Sequence, residues 1–436
     1  MSHDINESIK EVCLLNDSFP PLIDGVANAV VNYARILKED GYDVTVVTPE
    51  CPGADDSCFD YPVIRYPSID TRKYIGYPAG MPMDMPTCLK LKHSDISILH
   101  SHCPAASNLM GRILRKSLNV PLVMTYHTKY DIDISNAVRG KLIQEGAIQA
   151  LVDSVSACDE LWVVSDGAGK NIQSLGYKGD YIVMENGVDI PRCRPSDAQI
   201  TMVTSAYSLP ESTPVFLFVG RLMWYKGLRI ILDALAALKS QDLDFRMVFV
   251  GSGGDEEEVR AYAKQLKIND KTLFIGAVRD RNTLSAWYGR ADLMLFPSSF
   301  DTNGLVVREA AACSLASVLI AGSCASEGVT QNVNGLLIEE SAASLAVCLS
   351  RIMDNRDAMR SIGENAARDL YISWDSSVRK AIDRYGTIIE NYRSGKYKKR
   401  HKLSDQFVSF SGDMVSLFDK ADQERRKIDS LLEHYL

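Results

Sequence analysis

Apolar and polar positions in this chain alternate in short bursts that switch between two periods. Residues 11–16 (EVCLLN) are an apolar run of strand length. A loop rich in Pro and Gly follows, from Asp17 to Gly25. Val26, Val30, Tyr33, Ala34 and Leu37 then recur at helical spacing, and Gly41 fits a helix C-cap. Residues 44–48 (VTVVT) are the next strand. Strand, helix and strand in this order predict a right-handed crossover and a parallel sheet. The alternation continues with apolar residues 96–99, a helical stretch at 108–117, and strands at 121–125 and 160–164.

The second half repeats the grammar. Strands are predicted at 215–219, 246–250, 272–275 and 292–296, and helices at 228–238, 256–266 and 282–288. Two successive runs of this kind predict an α/β protein of two doubly wound domains. The boundaries expected are 1–190, a polar Pro-containing linker at 191–212, and 213–374. Residues 375–436 form a C-terminal helical extension that returns toward the N-terminal domain. Within that extension Phe407, Phe410, Met414, Leu417, Ala421, Ile428, Leu431 and Tyr435 fall on heptad steps, broken by Glu424. Such a stripe either pairs two chains into a homodimer or packs within one chain. Packing on the N-terminal domain is favoured, because short coiled coils are weak alone.

Composition narrows the class. The chain has 436 residues, 46% hydrophobic and 24% charged, with net charge -8. That balance argues against a nucleic-acid partner, since phosphate backbones select basic surfaces. The 10 cysteines are scattered, without Cys-x-x-Cys pairs, and read as buried thiols in a reducing compartment. With no signal peptide or spanning stretch, a cytoplasmic protein is expected. One segment runs against the overall charge. Arg393, Lys396, Lys398, Lys399, Arg400 and Lys402 crowd into 393–402. They suit either a solvated connection or peripheral contact with anionic lipid at the inner face of the cell membrane.

Four places could carry chemistry. The loop ending in Gly25 joins a strand to a helix; it is an ordinary turn or a place where a phosphate meets free N–H groups. Arg221 and Lys226, flanked by Gly220 and Gly227, follow strand 215–219, where open sheets place ligands. Arg offers phosphate a fork and Lys a point charge. Asp301, Asn303, Gly304, Leu305 and Glu309 follow strand 292–296. Asp301 is a helix N-cap or a sugar ligand, and Glu309 can take ribose hydroxyls. His127 ends strand 121–125, either structurally or as a hydrogen-bond donor; His100 and His102 share that ambiguity. The triplets Asp131-x-Asp133 and Asp242-x-Asp244 have metal-ligand spacing, but such triplets are common by chance and no metal site is expected.

In order, the chain carries a Gly loop, Tyr126-His127-Thr128, Glu185-Asn186-Gly187-Val188-Asp189, Gly220-Arg221 with Lys226-Gly227, and Asp301 with Glu309 eight residues on. This set resembles glycosyltransferase family 4 of the GT-B fold, over nearly the whole chain to about Trp374. Its lipid-glucosylating branch, the 1,2-diacylglycerol 3-alpha-glucosyltransferases and mannosyltransferase-like enzymes, has a similar Tyr-His-Thr stretch. The resemblance implies two Rossmann-like domains facing a cleft. It implies that Arg221 and Lys226 hold the diphosphate of a nucleotide sugar. Glu309 would bind the ribose and Asp301 the transferred sugar. Asn303, Gly304 and Leu305 would offer backbone N–H groups, Gly25 would sit against the phosphate, and His127 would be a cleft histidine. Two positions depart from the pattern: Asp301 replaces a Glu, and Asn303 stands where Phe or Pro is more usual. The function expected is a retaining hexosyltransferase that needs no metal or other cofactor. UDP-glucose is the favoured donor, and a lipid or glycan the acceptor. The alternative is a non-catalytic partner subunit of an active homologue.

Overall fold

The computed structural model describes residues 9–22, 24–72, 77–137, 140–397 and 415. The heptad stripe and residues 398–402 of the basic segment lie outside them. The chain divides into two compact units. The first comprises the residues up to Val164, Ala168–Met184 and those from Asp375 on; the second comprises Ser165–Gly167 and Glu185–Trp374.

The first unit contains β1 (Glu11–Leu15), β2 (Asp43–Pro49), β3 (Val63–Tyr66), the two-stranded antiparallel ribbon β4 (Ser68–Ile69) and β5 (Ala79–Gly80), β6 (Ile96–Ser101), β7 (Leu122–Tyr126), β8 (Glu160–Val163) and β9 (Ile182–Val183). Seven of them form a parallel sheet ordered β3-β2-β1-β6-β7-β8-β9. Every residue of β6 and β7 is buried. A strand buried on both faces has no polar side to show, so its sequence loses strict alternation. The helix Gly25–Glu39 turns Val30, Tyr33, Ala34 and Leu37 inward, as their spacing predicts, and Gly41 follows it at φ 89.

The second unit contains β10 (Val215–Val219), β11 (Arg246–Val250), β12 (Thr272–Gly276), β13 (Leu293–Phe296), β14 (Ser317–Ile320) and β15 (Leu336–Ile338). They form a parallel sheet ordered β12-β11-β10-β13-β14-β15. All five side chains of β10 are buried. Each full burial of this kind contributes about 1.5–3 kcal/mol.

Two readings of the sequence change here: the boundary expected after 190, where the second unit already begins at Glu185, and the linker that follows it. The stretch 191–212, read as a linker, groups with the second unit and carries the helix Asp197–Thr204. Ser196 opens that helix through a capping box with Gln199. Ile200 is buried, and a Cβ on Gly289 of the helix Arg281–Arg290 would come within 3.0 Å of it. Val188 pairs with Ser373 in the same unit, so the chain enters and leaves it side by side. In the helix Trp374–Arg393 the residues from Asp375 on belong to the first unit. Arg384 of that helix bonds Glu160 at 2.6 Å, and Tyr385 stacks on Trp162 with centroids 5.4 Å apart. Val415, a position off the heptad stripe, is buried in the core of this unit.

Candidate active site

Open parallel sheets bind ligands at the carboxyl ends of their strands, where neighbouring loops diverge to opposite sides. The strand orders put that break between β10 and β13 in the second unit and between β1 and β6 in the first. The candidate residues of the second unit lie on the loops at its break.

After β10 the chain makes a short 3-10 turn, Trp224–Lys226, closed by Gly227 at φ 79. A Cβ on Gly227 would stand 1.9 Å from the carbonyl oxygen of Pro297, so only glycine fits. This close approach brings Lys226 against the loop after β13. Gly251 does the same on the other side: its Cβ would stand 1.9 Å from the Gly220 carbonyl oxygen. The Trp224 N–H donates to Asp255 at 2.8 Å and fixes the turn.

Lys226 is largely buried, ringed by Tyr225, Phe296 and Phe300 with centroids 5.7–5.8 Å from its Nζ. Asp301 is its nearest carboxylate, at 3.9 Å, too long for a hydrogen bond. Burial lowers the Lys226 pKa, Asp301 raises it in part, and Arg221 lowers it further. Arg221 is exposed and forms no ion pair among the described residues. Two cations thus stand at the switch point without a hydrogen-bonded anion among the described residues.

The helix Leu305–Ala312 begins beside them. Its N-cap is Gly304, left-handed at φ 60, and no described side chain caps the first N–H groups. Asp301 is therefore not the N-cap; its Oδ1 accepts only from the Thr302 N–H, at 2.9 Å. Asn303 is 7% exposed, and neither its Nδ2 nor its Oδ1 has a hydrogen-bond partner among the described residues. Ser298 Oγ, on the same loop, is equally buried and unpartnered.

Glu309 lies one turn into this helix and is 9% exposed. The Arg281 guanidinium donates to one of its oxygens at 3.2 Å and the Tyr288 hydroxyl to the other at 2.9 Å. Arg281 also reaches Asp189 at 2.7 Å. Burial raises the Glu309 pKa, while Arg281 and Tyr288 pull it back. Each carboxylate oxygen keeps a second lone pair, so the group is oriented but not saturated.

The carboxyl edge of the first unit differs. His100 bonds the Tyr385 hydroxyl at 2.5 Å and Thr125 Oγ1 at 2.7 Å. His102 Nδ1 lies 3.0 Å from His127 Nε2, and the two rings stack at 5.3 Å. His102 Nε2 has no partner among the described residues. An orphaned N–H is rarer than an orphaned acceptor, which favours the proton on His102 Nδ1 and hence a His127 protonated at Nδ1. Burial holds all three rings neutral, with His127 lowered to about 3. His127 is thus a hydrogen-bonding group at neutral pH and a poor proton acceptor.

At the loop before Gly25, Asp24 accepts from the N–H groups of Val26 and Ala27 at 2.8 Å each. Of the two readings of this loop, the ordinary turn fits these donors, which the chain's own carboxylate satisfies. Gly25 itself is exposed, with open space where a Cβ would stand. A residue the sequence reading passed over, Asp17, is buried beneath this loop's strand end. It accepts from the Ser107 N–H at 2.8 Å and caps the helix Ala106–Leu118, whose own N-cap, Ala105, offers nothing. One member of each metal-like triplet has a partner within its own unit. Asp244 is tied to Lys271 and Arg246 at the amino end of β11, and Asp131 accepts from Asn171 at 3.3 Å.

Second-unit residues Arg221, Lys226, Asp301, Asn303, Gly304, Leu305 and Glu309 thus share one strand-end region. Gly25 and His127 belong to the first unit. Sequence reading missed the partners of Glu309, because Arg281 and Tyr288 sit on another helix and carry no motif of their own. It also left His102 and His127 unconnected, 25 residues apart.

Two family models match the chain. "Glycosyltransferase Family 4" matches residues 23–192, and "Glycosyl transferases group 1" matches residues 204–369. An alpha-monoglucosyldiacylglycerol synthase of Streptococcus pneumoniae is 23% identical over 310 residues, covering 69% of this chain and 68% of that protein. A D-inositol 3-phosphate glycosyltransferase of Catenulispora acidiphila is 27% identical over 402 residues, covering 84% and 91%. Among solved structures, Anabaena HepE in complex with UDP superposes with a TM-score of 0.71 at 17% identity, covering 86% of this chain and 100% of that one. With a glycosyltransferase model on each half and two parallel-sheet units of this topology, the chain belongs to the GT-B glycosyltransferases of family 4, enzymes that move a sugar from a nucleotide sugar to an acceptor.

Proposed function

We propose that this enzyme is a retaining hexosyltransferase that takes its sugar from a uridine diphosphate donor, UDP-glucose in the first instance, and delivers it to a lipid hydroxyl. The observation that carries the donor site is the pair at the end of β10. Lys226 is desolvated and lacks a hydrogen-bonded carboxylate, and exposed Arg221 stands five residues before it. A diphosphate would supply the missing negative charge. It would also restore the Lys226 pKa that burial lowers. In this reading Arg221 and Lys226 stabilise charge developing on the leaving diphosphate. The uncapped N–H groups at Leu305 serve the same anion. Glu309, oriented by Arg281 and Tyr288, takes the ribose hydroxyls. Asp301 holds the sugar, His127 hydrogen-bonds as a neutral group, and Gly25 contributes space rather than donors.

The bond from C1 to the diphosphate oxygen breaks as the acceptor oxygen bonds C1 on the same face. The acceptor proton passes to the leaving phosphate. No protein nucleophile and no metal take part. The lipid acceptor is supported by the similarity to the diacylglycerol enzyme and by the basic run 393–402, suited to an anionic surface.

The test pairs binding with turnover. UDP, GDP and ADP are screened for their effect on melting temperature, which rises with ln(1 + [L]/Kd) for a ligand of the folded state. UDP-glucose is then offered with diacylglycerol in anionic vesicles, in EDTA, and the anomer is read by NMR. The expected result is stabilisation by UDP and an α-linked glucolipid formed in EDTA. An inverted product, activity that only a divalent metal restores, or stabilisation by GDP or ADP alone would each overturn the corresponding part.

A further inference from the structure

The loop after β13 holds a buried carboxamide whose hydrogen-bonding capacity is unspent. Both polar atoms of Asn303 are without partners among the described residues, although the side chain is 7% exposed. Leaving one buried polar atom unpaired costs about 1–3 kcal/mol. Here a donor and an acceptor are left on one group. A simple packing role would be filled better by Leu, which has nearly the same shape and no such cost. The surroundings add a second observation: the helix Leu305–Ala312 starts at the next residue but one, and its N-terminus has no side-chain cap.

The kind of partner follows from the chemistry. A phosphate oxygen only accepts, so it would satisfy Nδ2 and leave Oδ1 orphaned. A cation would satisfy Oδ1 alone. Hydroxyl groups both donate and accept, and two on adjacent carbons can meet the two ends of one carboxamide.

We propose that the Asn303 side chain reads two neighbouring hydroxyls of the donor hexose and is a determinant of donor specificity. This rests on the reading that the second unit holds the donor. The side chain acts in addition to any backbone contact made by this loop, and a Phe or Pro at this position could not supply it. Asn303 is a binding residue here, unspent until the sugar arrives.

The experiment uses the full chain, with Asn303→Leu and Asn303→Ala beside the unsubstituted protein. Calorimetry measures nucleoside diphosphate binding, melting curves measure stability, and kcat/KM is measured for the accepted nucleotide hexose and for analogues lacking each sugar hydroxyl in turn. The unsubstituted enzyme should lose about 10- to 100-fold in kcat/KM when either contacted hydroxyl is removed. The variants should lose a comparable factor on the complete donor and then become indifferent to those two hydroxyls. Nucleoside diphosphate affinity should stay within about twofold. Asn303→Leu should melt no lower than the parent without ligand, since an apolar group replaces an unpaired polar one; a structural role would lower it. If Leu does not fit, Asn303→Ala carries the same comparison. If the variants discriminate among the deoxygenated donors as the parent does, the inference fails and the donor site stands. If the parent binds no nucleoside diphosphate, both fail.

Discussion

The two strand-end regions differ in how they treat charge. In the first unit the carboxyl edge gathers three imidazoles, His100, His102 and His127, with Tyr385 and Thr125, all buried and uncharged. In the second unit the same topological position holds an exposed Arg221, a largely buried Lys226, Asp301 and a paired Glu309. One edge is dominated by neutral hydrogen-bonding groups, beside the buried carboxyl of Asp17, and the other by poised charge. Neutral groups suit the hydroxyls of an acceptor. Cations without a hydrogen-bonded carboxylate suit a leaving diphosphate. The same doubly wound architecture thus supports two chemistries, separated by which residues end the central strands.

The contrast can be broken most forcefully at the charged edge. Arg221→Ala and Lys226→Ala should each reduce kcat by about 100-fold or more, since removing a donor to developing negative charge costs ~3–4 kcal/mol. Melting temperatures without ligand should scarcely move, because neither side chain makes a hydrogen bond among the described residues. A comparable loss of stability would mark them as packing residues.

The neutral edge predicts an acid sensitivity. The folded pKa of His127, about 3, lies below the ordinary value of 6.5. A group lowered on folding contributes stability above its unfolded pKa and loses it as pH falls. At pH 5 the cost for His127 alone is about 2 kcal/mol relative to neutral pH, and His100 and His102 shift in the same direction. Urea melts at pH 7.5 and pH 5 should show the drop, and a His127→Asn variant should show less of it. Equal drops in both proteins would remove His127 as the source.

Glu309→Gln should weaken nucleoside diphosphate affinity about 10-fold, by turning a charged acceptor into a neutral one. Calorimetry reads this directly, and an unchanged Kd would take the ribose role away from Glu309. The smallest effect expected is at Asp301→Glu, a change of one methylene beside Lys226. It should alter the ratio of kcat/KM between competing nucleotide hexoses by a few-fold. An unchanged ratio would free Asp301 of any part in donor choice.

Much of this was legible because the signals were local. β10 and β11 are apolar runs bounded by turn residues, and their observed limits are those read from the sequence. The helix Asp197–Thr204 escaped because eight residues make a weak periodic signal; its capping box, Ser196 and Gln199, was the mark that could have found it. The sequence left two readings of the Gly25 loop open, and the ordinary turn is the one its donors fit, because Asp24 stands at the N-cap, where a carboxylate serves the helix itself. The orientation of Glu309 and the link between His102 and His127 are contacts between distant segments. Nothing in the spacing of a single sequence encodes them.

The central claim is that Arg221 and Lys226 hold the diphosphate. Its most direct test is calorimetric titration of UDP into the parent, Arg221→Ala and Lys226→Ala at pH 7.5. Binding to the parent should be saturable and binding to each variant at least about 10-fold weaker, with ligand-free melting curves superimposed. Variants that bind UDP as tightly as the parent would contradict that claim and place the phosphate elsewhere in the chain.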